Sequence, residues 1–511
     1  MDEIHDECGI AAVSLKNDKK ALFYLYRLLL NLQNRGQLSA GITTYNKDKP
    51  QLINTYKNIG TVNEVFKTSN VQKSMEIFNR YAGTKGIGHV RYATCGADDR
   101  SHAQPFERKH GRIWKWFSFC FNGNLVNFEE LKKPLVEKTE YHFSLNNDTE
   151  IIMHYLARQL KGGKKPKEVD VFRNLSKKFD GAYNIAYINA YGDLIACRDP
   201  LGIRPLSYAV KDGNVFIASE SNALANIGLY DFKSLEPGHI ISVKNGSHSI
   251  ERYAETKKKA HCMFEWVYFA NVSSVLDDKS VYVTRTNLGK ELAKLETENI
   301  SKEHVVIPVP DTAKAAGDAY AYELGLPSME GLIRNRFVGR TFIEGNKRDD
   351  KVLNKYTLVK DILKDKKILL VDDSIVRGTT SKRIVTFLKE IGGAKEVHVR
   401  VTCPPIKAPC FYGIDMSTVS ELLVPQYEDK IDPEKTSDEL CKKIADDMGA
   451  DSLIYQTIPG LIKSIGLPKE DLCLGCLTGQ YPTPCGKSMY CKTLKDFKAG
   501  KKGGRSYESC S

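Results

Sequence analysis

The sequence lacks the long apolar runs that cross a membrane. Its 511 residues contain no uninterrupted apolar stretch of about 18 residues, so no membrane span is predicted. The first residues, MDEIHDECGI, are acidic and include no apolar core of the kind that secretory signals carry. We therefore expect a cytoplasmic protein with no membrane partner.

The sequence also lacks the patterns of nucleic-acid-binding proteins. The 75 Lys and Arg residues outnumber the 63 Asp and Glu residues, giving a net charge of +12. No helix-turn-helix, zinc-finger or RNP pattern accompanies this basic excess, so we expect no nucleic-acid partner. A solvated lysine-rich surface, or attraction to a phosphorylated small substrate, explains the charge.

The cysteines do not form the even-numbered set that is typical of a disulfide-bonded protein. The chain has 13 cysteines, an odd number, and is far longer than a disulfide-stapled scaffold. Because no export signal is visible, we expect reduced, catalytic or metal-bound thiols rather than disulfides.

The apolar runs divide the chain into two large parts. With 41% hydrophobic and 27% charged residues, the chain has enough apolar content for real cores. Over residues 8–243, short apolar runs such as GIAAVSL and FSFCFNGNLV end at Gly, Asn or Asp, which predicts a layered α+β domain dominated by antiparallel strands. Helices are expected over residues 20–34 and 149–160. The polar, lysine-rich residues 244–259 are interpreted as a linker.

The second part, residues 260–466, has a different pattern. The strand-like runs VVIPVP, KILLVDD and EVHVRVT alternate with helices expected over residues 313–324 and 380–391. Such alternation predicts an α/β domain with a parallel sheet covered on both faces. Residues 467–511 form a Cys-containing C-terminal segment with a basic tail.

The sharpest motif is KILLVDDSIVRGTTS, residues 367–381. A buried strand is followed by Asp372 and Asp373 at its carboxyl end, where parallel sheets bind ligands. The small turn that comes next lets backbone N–H groups approach a phosphate at a helix N-terminus. The acids suit ribose hydroxyls or a hard cation that holds a pyrophosphate. The motif is not a Walker A loop, because GxxxxGK[ST] is absent.

This string resembles the phosphoribosylpyrophosphate (PRPP) signature of the type I phosphoribosyltransferase family. The resemblance implies that Asp372 and Asp373 contact the ribose hydroxyls. It also implies that the turn holds the 5-phosphate, through Ser374, Arg377, Gly378, Thr379 and Thr380. Asp372, Asp373 and Thr312 are candidate ligands for Mg²⁺. In the upstream segment RNRFVGRTFI, Arg336 and Arg340 suit pyrophosphate, and we expect a flap that closes over substrate and excludes water, although a solvated basic loop is the alternative.

A second group of segments has the side chains that a glutaminase needs. Cys8 precedes a strand near the chain start, where most cysteines are simply small buried residues. Arginines in NRGQLSAGI and GHVRYAT can hold a carboxylate, Asp148 in NDTE an ammonium group, and the Asn-Gly pair in FNGNL an oxyanion.

Together these segments resemble the N-terminal-nucleophile (Ntn) glutamine amidotransferases. The resemblance implies that Cys8 is the nucleophile, that Asn122 and Gly123 form the oxyanion hole, that Arg91 and Asp148 bind glutamine, and that Arg35 supports the site. It also implies removal of residues 1–7, a propeptide, so that the α-amine of Cys8 serves as base. A Cys-His dyad with His5, His89 or His102 is the alternative.

Four dispersed cysteines complete the candidate sites. Four thiolates can hold a four-iron, four-sulfur cluster or a zinc ion, and spacing does not decide between them. The segments CMFEWVYF, PCFYGID and CLGCLTGQYPT resemble the cluster-binding segments of iron–sulfur-containing amidophosphoribosyltransferases. This resemblance implies a [4Fe–4S] cluster on Cys262, Cys410, Cys473 and Cys476.

The chain as a whole resembles the amidophosphoribosyltransferase family, with motifs in the family's order from ECGI to CLGCLTGQYP. The resemblance implies an Ntn hydrolase sandwich followed by a type I phosphoribosyltransferase domain. It implies an enzyme that hydrolyses glutamine and transfers the ammonia to PRPP, giving 5-phosphoribosylamine, pyrophosphate and glutamate, the first committed step of de novo purine biosynthesis. Purine nucleotide inhibitors and a homo-oligomer, dimer or tetramer, are expected. A sugar-isomerase-linked amidotransferase and a non-catalytic nucleotide sensor are the rival interpretations.

Overall fold

The structure is a computed structural model that describes residues 8–92, 99–139, 141–335, 355–416, 418–427 and 436–500. The N-terminal strands in these ranges are β1 (Gly9–Ser14), β2 (Ser39–Tyr45), β3 (Ile53–Ile59), β4 (Lys85–Arg91), β5 (Phe106–Arg108), β6 (Phe117–Leu125), β7 (Gly181–Asn189), β8 (Leu194–Arg198), β9 (Ser207–Lys211), β10 (Asn214–Ala218), β11 (Phe232–Ser234), β12 (His239–Lys244) and β13 (Ser247–Arg252). The helices are α1 (Ala21–Leu30), α2 (Val62–Val65), α3 (Val71–Arg80), α4 (Phe128–Thr139), α5 (Asp148–Gln159), α6 (Glu168–Ser176) and α7 (Ser221–Ala225).

These strands form two antiparallel sheets, in the orders β11-β9-β10-β1-β4-β2-β3 and β13-β12-β8-β7-β6-β5. Apolar side chains of β1, such as Ile10 and Ala12, pack against Cys120 of β6 and Ala186 of β7, so the two sheets face each other. Helix α1 covers the outer face of the first sheet, and α4, α5 and α6 cover that of the second. The predicted α+β sandwich is confirmed, and α1 and α5 lie where helices were expected.

The predicted linker was wrong at its start. Residues 247–252 form β13, which pairs with β12 in full antiparallel register, so the first domain continues to Arg252 rather than ending at 243. All six residues of β13 are exposed. An edge strand without a buried face carries no alternating apolar pattern, and so its composition is that of a linker.

The second part contains a parallel sheet. Its strands are β14 (His261–Cys262), β15 (Val275–Leu276), β16 (Lys279–Ser280), β17 (His304–Pro308), β18 (Leu332–Arg334), β19 (Tyr356–Leu358), β20 (Lys367–Asp372), β21 (Glu396–Val401), β22 (Ser452–Tyr455) and β23 (Leu472–Cys473). Its helices are α8 (Val281–Ala293), α9 (Lys314–Leu324), α10 (Lys360–Leu363), α11 (Thr379–Thr386), α12 (Asp438–Met448), α13 (Ile458–Ile465), α14 (Gly475–Thr478) and α15 (Pro484–Lys498).

Strands β17, β20, β21 and β22 lie side by side in that order, and all pairs are parallel. Side chains of α8 and α9 pack on one face of this sheet, and those of α11 and α12 pack on the other. The predicted α/β domain is confirmed. The helix expected over residues 380–391 is α-helical only to Thr386 and continues as one π-helical turn, Phe387–Ile391.

The two parts share buried polar contacts across residues 261–277. Arg198 of β8 donates hydrogen bonds of 2.6 and 2.9 Å to the Asp277 carboxylate. The Ser274 hydroxyl donates to Glu220 Oε2 at 2.7 Å. These contacts hold the beginning of the second part against the edge of the first.

Candidate active sites

Cys8 immediately precedes β1, beside the strand β4 that supplies Arg91. Its neighbour Gly9 pairs with Val90 of β4, so the carboxyl end of β4, with Arg91, lies beside the cysteine. Cys8 is half-buried. Its carbonyl oxygen accepts a 3.4 Å hydrogen bond from Arg35 Nε. The fold therefore brings Cys8, Arg35 and Arg91 together, although Cys8 and Arg91 are 83 positions apart in the chain.

Asn122 and Gly123 lie in β6, across from the start of β1. Ser219 connects the two strands: its hydroxyl oxygen accepts hydrogen bonds from Ile10 N at 2.9 Å and from Asn122 Nδ2 at 3.4 Å. Gly123 has φ of 143°, and a Cβ there would lie 2.0 Å from the carbonyl oxygen of Ala182. Only glycine fits this position.

Asp148 is the first residue of α5 and lies at the end of β6, where its Oδ2 accepts a 3.4 Å hydrogen bond from Leu125 N. Asn147 caps the helix by accepting a bond from Glu150 N at 2.9 Å. The helix cap thus fixes Asp148 near the end of β6 that carries Asn122 and Gly123.

The alternative Cys-His dyad finds no support in the two histidines that the structure describes. His89 is fully buried and its Nε2 lies 3.1 Å from the Phe121 carbonyl oxygen. Burial lowers the pKa of His89 to about 3. A base with that pKa is poorly matched to proton transfer near neutral pH. His102 lies against Asp99, with 3.4 Å between Nδ1 and Oδ1.

Arg35 is fully buried in an ion-pair network. Its guanidinium lies 2.7 Å from Glu220 Oε1 and 2.6 Å from Glu265 Oε1, and both carboxylates are buried. Burial alone would lower the pKa of Arg35, but the charges of Glu265 and Glu220 outweigh it and raise that pKa. This position fits the supporting role that the resemblance implied, because the guanidinium connects Cys8 to the second part of the chain.

Asp372 and Asp373 lie at the carboxyl end of the central strand β20, as predicted. Both are buried, and Asp373 N donates a 2.9 Å bond to Asp372 Oδ1. Asp373 accepts bonds from the hydroxyls of Ser374, at 2.6 Å, and of Thr312. Burial and then the charge of Asp373 raise the pKa of Asp372 to about 8. A cation placed between the two carboxylates would relieve both effects.

The turn after the acids has the predicted geometry. Gly378 has φ of 78° and precedes α11, and a Cβ there would meet the Leu423 side chain at 2.9 Å. The helix starts at Thr379, so its first N–H groups point into the turn. Arg377 pairs with Glu421 at 2.9 Å.

The acids and the turn line one open cleft. Among the predicted residues, those that line the cleft are Thr312, Asp372, Asp373, Ser374, Arg377, Gly378 and Thr380. Arg336 and Arg340 lie outside the described residues. Lys355, Tyr356 and Tyr268 also line it and were missed. Burial lowers the pKa of Lys355 to about 8, against the opposing charges of Asp372 and Asp373.

The four cysteines predicted to hold a cluster are all buried and come close together. Cys262 of β14 pairs with Cys473 of β23 in parallel register. The carbonyl oxygen of Cys476 accepts bonds from the N–H groups of Lys407 and Ala408, which lie just before Cys410. Burial, followed by the charges of the other three sulfurs, raises the pKa of Cys476. Within the described ranges, no three His, Cys, Asp or Glu side chains are placed to hold a single metal ion.

Known proteins resemble this chain over nearly its whole length. The glutamine amidotransferase domain family matches residues 89–226. An amidophosphoribosyltransferase of Methanocaldococcus jannaschii is 40% identical over 495 residues, which cover 93% of this chain and 98% of that protein. The amidophosphoribosyltransferase of Bacillus subtilis is 35% identical, covering 94% of this chain and 95% of that protein.

The chain belongs to the amidophosphoribosyltransferase family. The solved structure of Bacillus subtilis glutamine PRPP amidotransferase, complexed with ADP and GMP, matches with a TM-score of 0.80 at 35% identity and covers 94% of this chain and 98% of that one. The predicted fold and activity are confirmed: the chain is a glutamine-dependent amidophosphoribosyltransferase of purine biosynthesis. Among the helices that the structure describes, none has the length and apolarity needed to cross a bilayer.

Proposed function

We propose that Cys8 and the Asp372–Asp373 pair carry the two halves of this activity. This division is supported by the separate positions of the two sets of residues. Cys8 lies near the carboxyl end of β4, and the two aspartates lie at the carboxyl end of β20. Glutamine hydrolysis belongs to the first set and PRPP chemistry to the second.

In the first half, the Cys8 thiol attacks the glutamine amide carbon, the C–N bond breaks to release ammonia and leave a thioester, and water then hydrolyses the thioester to glutamate and free Cys8. Removal of residues 1–7 exposes the α-amine of Cys8, which takes the thiol proton. The Asn122 amide and the Gly123 N–H stabilise the oxyanion, because they are held in position by Ser219 and by the fixed backbone of β6. Arg91 and Asp148 bind the α-carboxylate and α-amine of glutamine.

In the second half, the cleft holds PRPP while ammonia displaces pyrophosphate at its C1. Asp372 and Asp373 bind the ribose hydroxyls, and the turn from Ser374 to Thr380 binds the 5-phosphate at the start of α11. Lys355 adds a positive charge to the cleft wall. Exclusion of water matters here, because ammonia loses its nucleophilic lone pair when it is protonated in water.

The donor set of the cleft fits Mg²⁺. Asp372, Asp373 and Thr312 present hard oxygen atoms within one hydrogen-bonded group, and burial leaves the two carboxylates short of compensating charge. When bound, Mg²⁺ neutralises charge on the pyrophosphate leaving group.

The four buried cysteines fit a [4Fe–4S] cluster, and we place it on Cys262, Cys410, Cys473 and Cys476. Four soft sulfur donors from three separate segments approach one another, with Cys262 and Cys473 on paired strands. The cluster would hold the C-terminal segment against both domains. Four thiolates can in general also hold zinc, although no three of the described side chains are placed to hold a single metal ion, and elemental content is the measurement that decides between the two.

Regulation and assembly follow the family. The Bacillus subtilis relative was solved with ADP and GMP, and a second match, with a TM-score of 0.81, is described as the allosteric regulatory enzyme of purine biosynthesis. We propose that purine nucleotides inhibit this enzyme and that it works as a homo-oligomer.

Paired substitutions test the division into two sites. Cys8→Ala should abolish glutamine use while ammonia-dependent synthesis of phosphoribosylamine continues. Asp372→Ala or Asp373→Ala should lower synthesis about 10²-fold with either nitrogen donor, about 2.7 kcal/mol of transition-state stabilisation. The assay is PRPP-dependent release of pyrophosphate with glutamine or ammonia.

Cys491→Ala, which changes an exposed cysteine, is the matched control and should alter neither reaction. Glutamine hydrolysis near the wild-type rate in Cys8→Ala would remove the nucleophile assignment. Mass spectrometry of the mature protein should show a chain that begins at Cys8, and an active enzyme that retains residues 1–7 would contradict the proposed base.

A further inference from the structure

Three hydrogen bonds from two buried side chains attach the glutaminase site to the segment that carries Cys410. Asn124, the residue after the oxyanion glycine, donates through Nδ2 to the Phe411 carbonyl oxygen at 2.9 Å. Arg204 donates to the Tyr412 carbonyl oxygen through Nη2 at 2.6 Å and through Nε at 3.2 Å. Both side chains are buried, and their partners lie more than 200 positions away in the chain.

The same segment approaches the oxyanion residue Gly123 itself. Gly413 lies so close to Gly123 that a Cβ on Gly413 would be 3.3 Å from the Gly123 carbonyl carbon. Residues 411–413, which we name the buttress segment, therefore lie against Gly123 and Asn124 of β6.

Arg204 continues the connection to the nucleophile. Its Nη1 lies 3.6 Å from Glu265 Oε1, and the same oxygen lies 2.6 Å from Arg35 Nη2. Arg35 in turn donates to the Cys8 carbonyl oxygen. The chain of contacts from Cys8 through Arg35, Glu265 and Arg204 thus ends at the buttress segment, which lies against Gly123.

We infer that Asn124 and Arg204 are positioning residues for glutamine hydrolysis, acting through the buttress segment on the distance between Cys8 and the Asn122–Gly123 pair of β6. The inference rests on the proposed roles of Cys8, Asn122 and Gly123. Oxyanion donors act only when they lie at hydrogen-bond distance from the transition-state oxygen, so a small displacement of this pair lowers the rate. Neither residue needs to touch glutamine for this effect.

Steady-state kinetics of Asn124→Ala test the inference. We expect kcat for glutamine hydrolysis to fall about 10- to 100-fold, because a displacement of about 1 Å can cost 10²-fold. The KM for glutamine should stay within about twofold, because the lost alignment matters only in the transition state. Ammonia-dependent synthesis should keep its wild-type rate, because the PRPP cleft lies elsewhere.

Three further variants separate positioning from general stability. Asn124→Asp keeps the size of the side chain but removes the N–H donor, so it should lose kcat in the same way even if Asn124→Ala folds poorly. Arg204→Lys keeps the positive charge but lacks the several N–H donors of the guanidinium group, and its kcat should lie between those of the wild type and Asn124→Ala. Asn46→Ala is the matched control, because its Nδ2 also donates to a backbone carbonyl oxygen, that of Ala82, at 3.0 Å.

The outcomes distinguish this inference from the proposed function. If Cys8→Ala loses glutamine hydrolysis while Asn124→Ala and Asn124→Asp keep the wild-type kcat, the positioning role is refuted and the nucleophile stands. An equal loss of kcat in Asn46→Ala would also refute it, because the effect would then be one of general stability. If Cys8→Ala still hydrolyses glutamine, the proposed function fails first.

Discussion

Replacing Gly123 by alanine offers the sharpest test of the oxyanion donors on β6. The residue has φ of 143°, and the added Cβ would lie 2.0 Å from the Ala182 carbonyl oxygen on the paired strand β7. That distance is far too short for two atoms that are not bonded, so β6 and β7 must move apart at this point. Strain of this kind costs about 1–3 kcal/mol when the backbone cannot relax.

The expected functional loss is larger than the loss of stability. An oxyanion donor that is removed or misaligned costs about 10²–10³ in kcat, or about 2.7–4 kcal/mol. We therefore expect Gly123→Ala to lower kcat for glutamine hydrolysis by at least about 10²-fold. Ammonia-dependent synthesis should continue, since the PRPP cleft is formed by other strands.

Gly162→Ala is the matched control for backbone strain. Gly162 also has a positive φ, 100°, but nothing lies within 4 Å of the position that a Cβ would take. This variant should lose stability in thermal unfolding with full glutaminase activity. If Gly123→Ala retained glutaminase activity similar to that of Gly162→Ala, the close approach to β7 would have no role in catalysis and the reasoning would fail.

Two further predictions concern the acid pair and the cysteines. Burial and the charge of Asp373 raise the pKa of Asp372 to about 8, so the ligand-free fold should lose stability as pH rises from about 4 to about 8. The melting temperature of the wild type should therefore fall relative to that of Asp372→Asn over this interval. A constant difference between the two melting temperatures would contradict the argument. We expect the anaerobically purified protein to be brown and to contain about four iron and four sulfide atoms per chain. Cys473→Ser should lose the colour, the iron and the sulfide, whereas Cys491→Ser, which alters an exposed thiol, should keep them. Stoichiometric zinc without iron in the unmutated protein would refute the cluster and leave both active sites in place.

Local sequence determined the elements that a few neighbouring residues can specify. The run Ile368–Val371 is apolar enough to be a buried parallel strand, and the acids and the glycine-containing turn follow directly, so the whole PRPP motif could be predicted without a fold. The same holds for the cap at Asn147 that orients Asp148. Such features depend on contacts within about one helical turn, which a short stretch of sequence contains in full.

The tertiary structure decided what depends on residues far apart in the chain. Three features carry no local pattern, because each gains its role only from a partner on another strand or segment. They are Ser219 between Ile10 and Asn122, Lys355 in the PRPP cleft, and the hydrogen bond of Asn124 to Phe411. The polar strand β13 was missed for a related reason: its place in the sheet comes from hydrogen bonds to β12, and backbone hydrogen bonds leave no trace in side-chain composition.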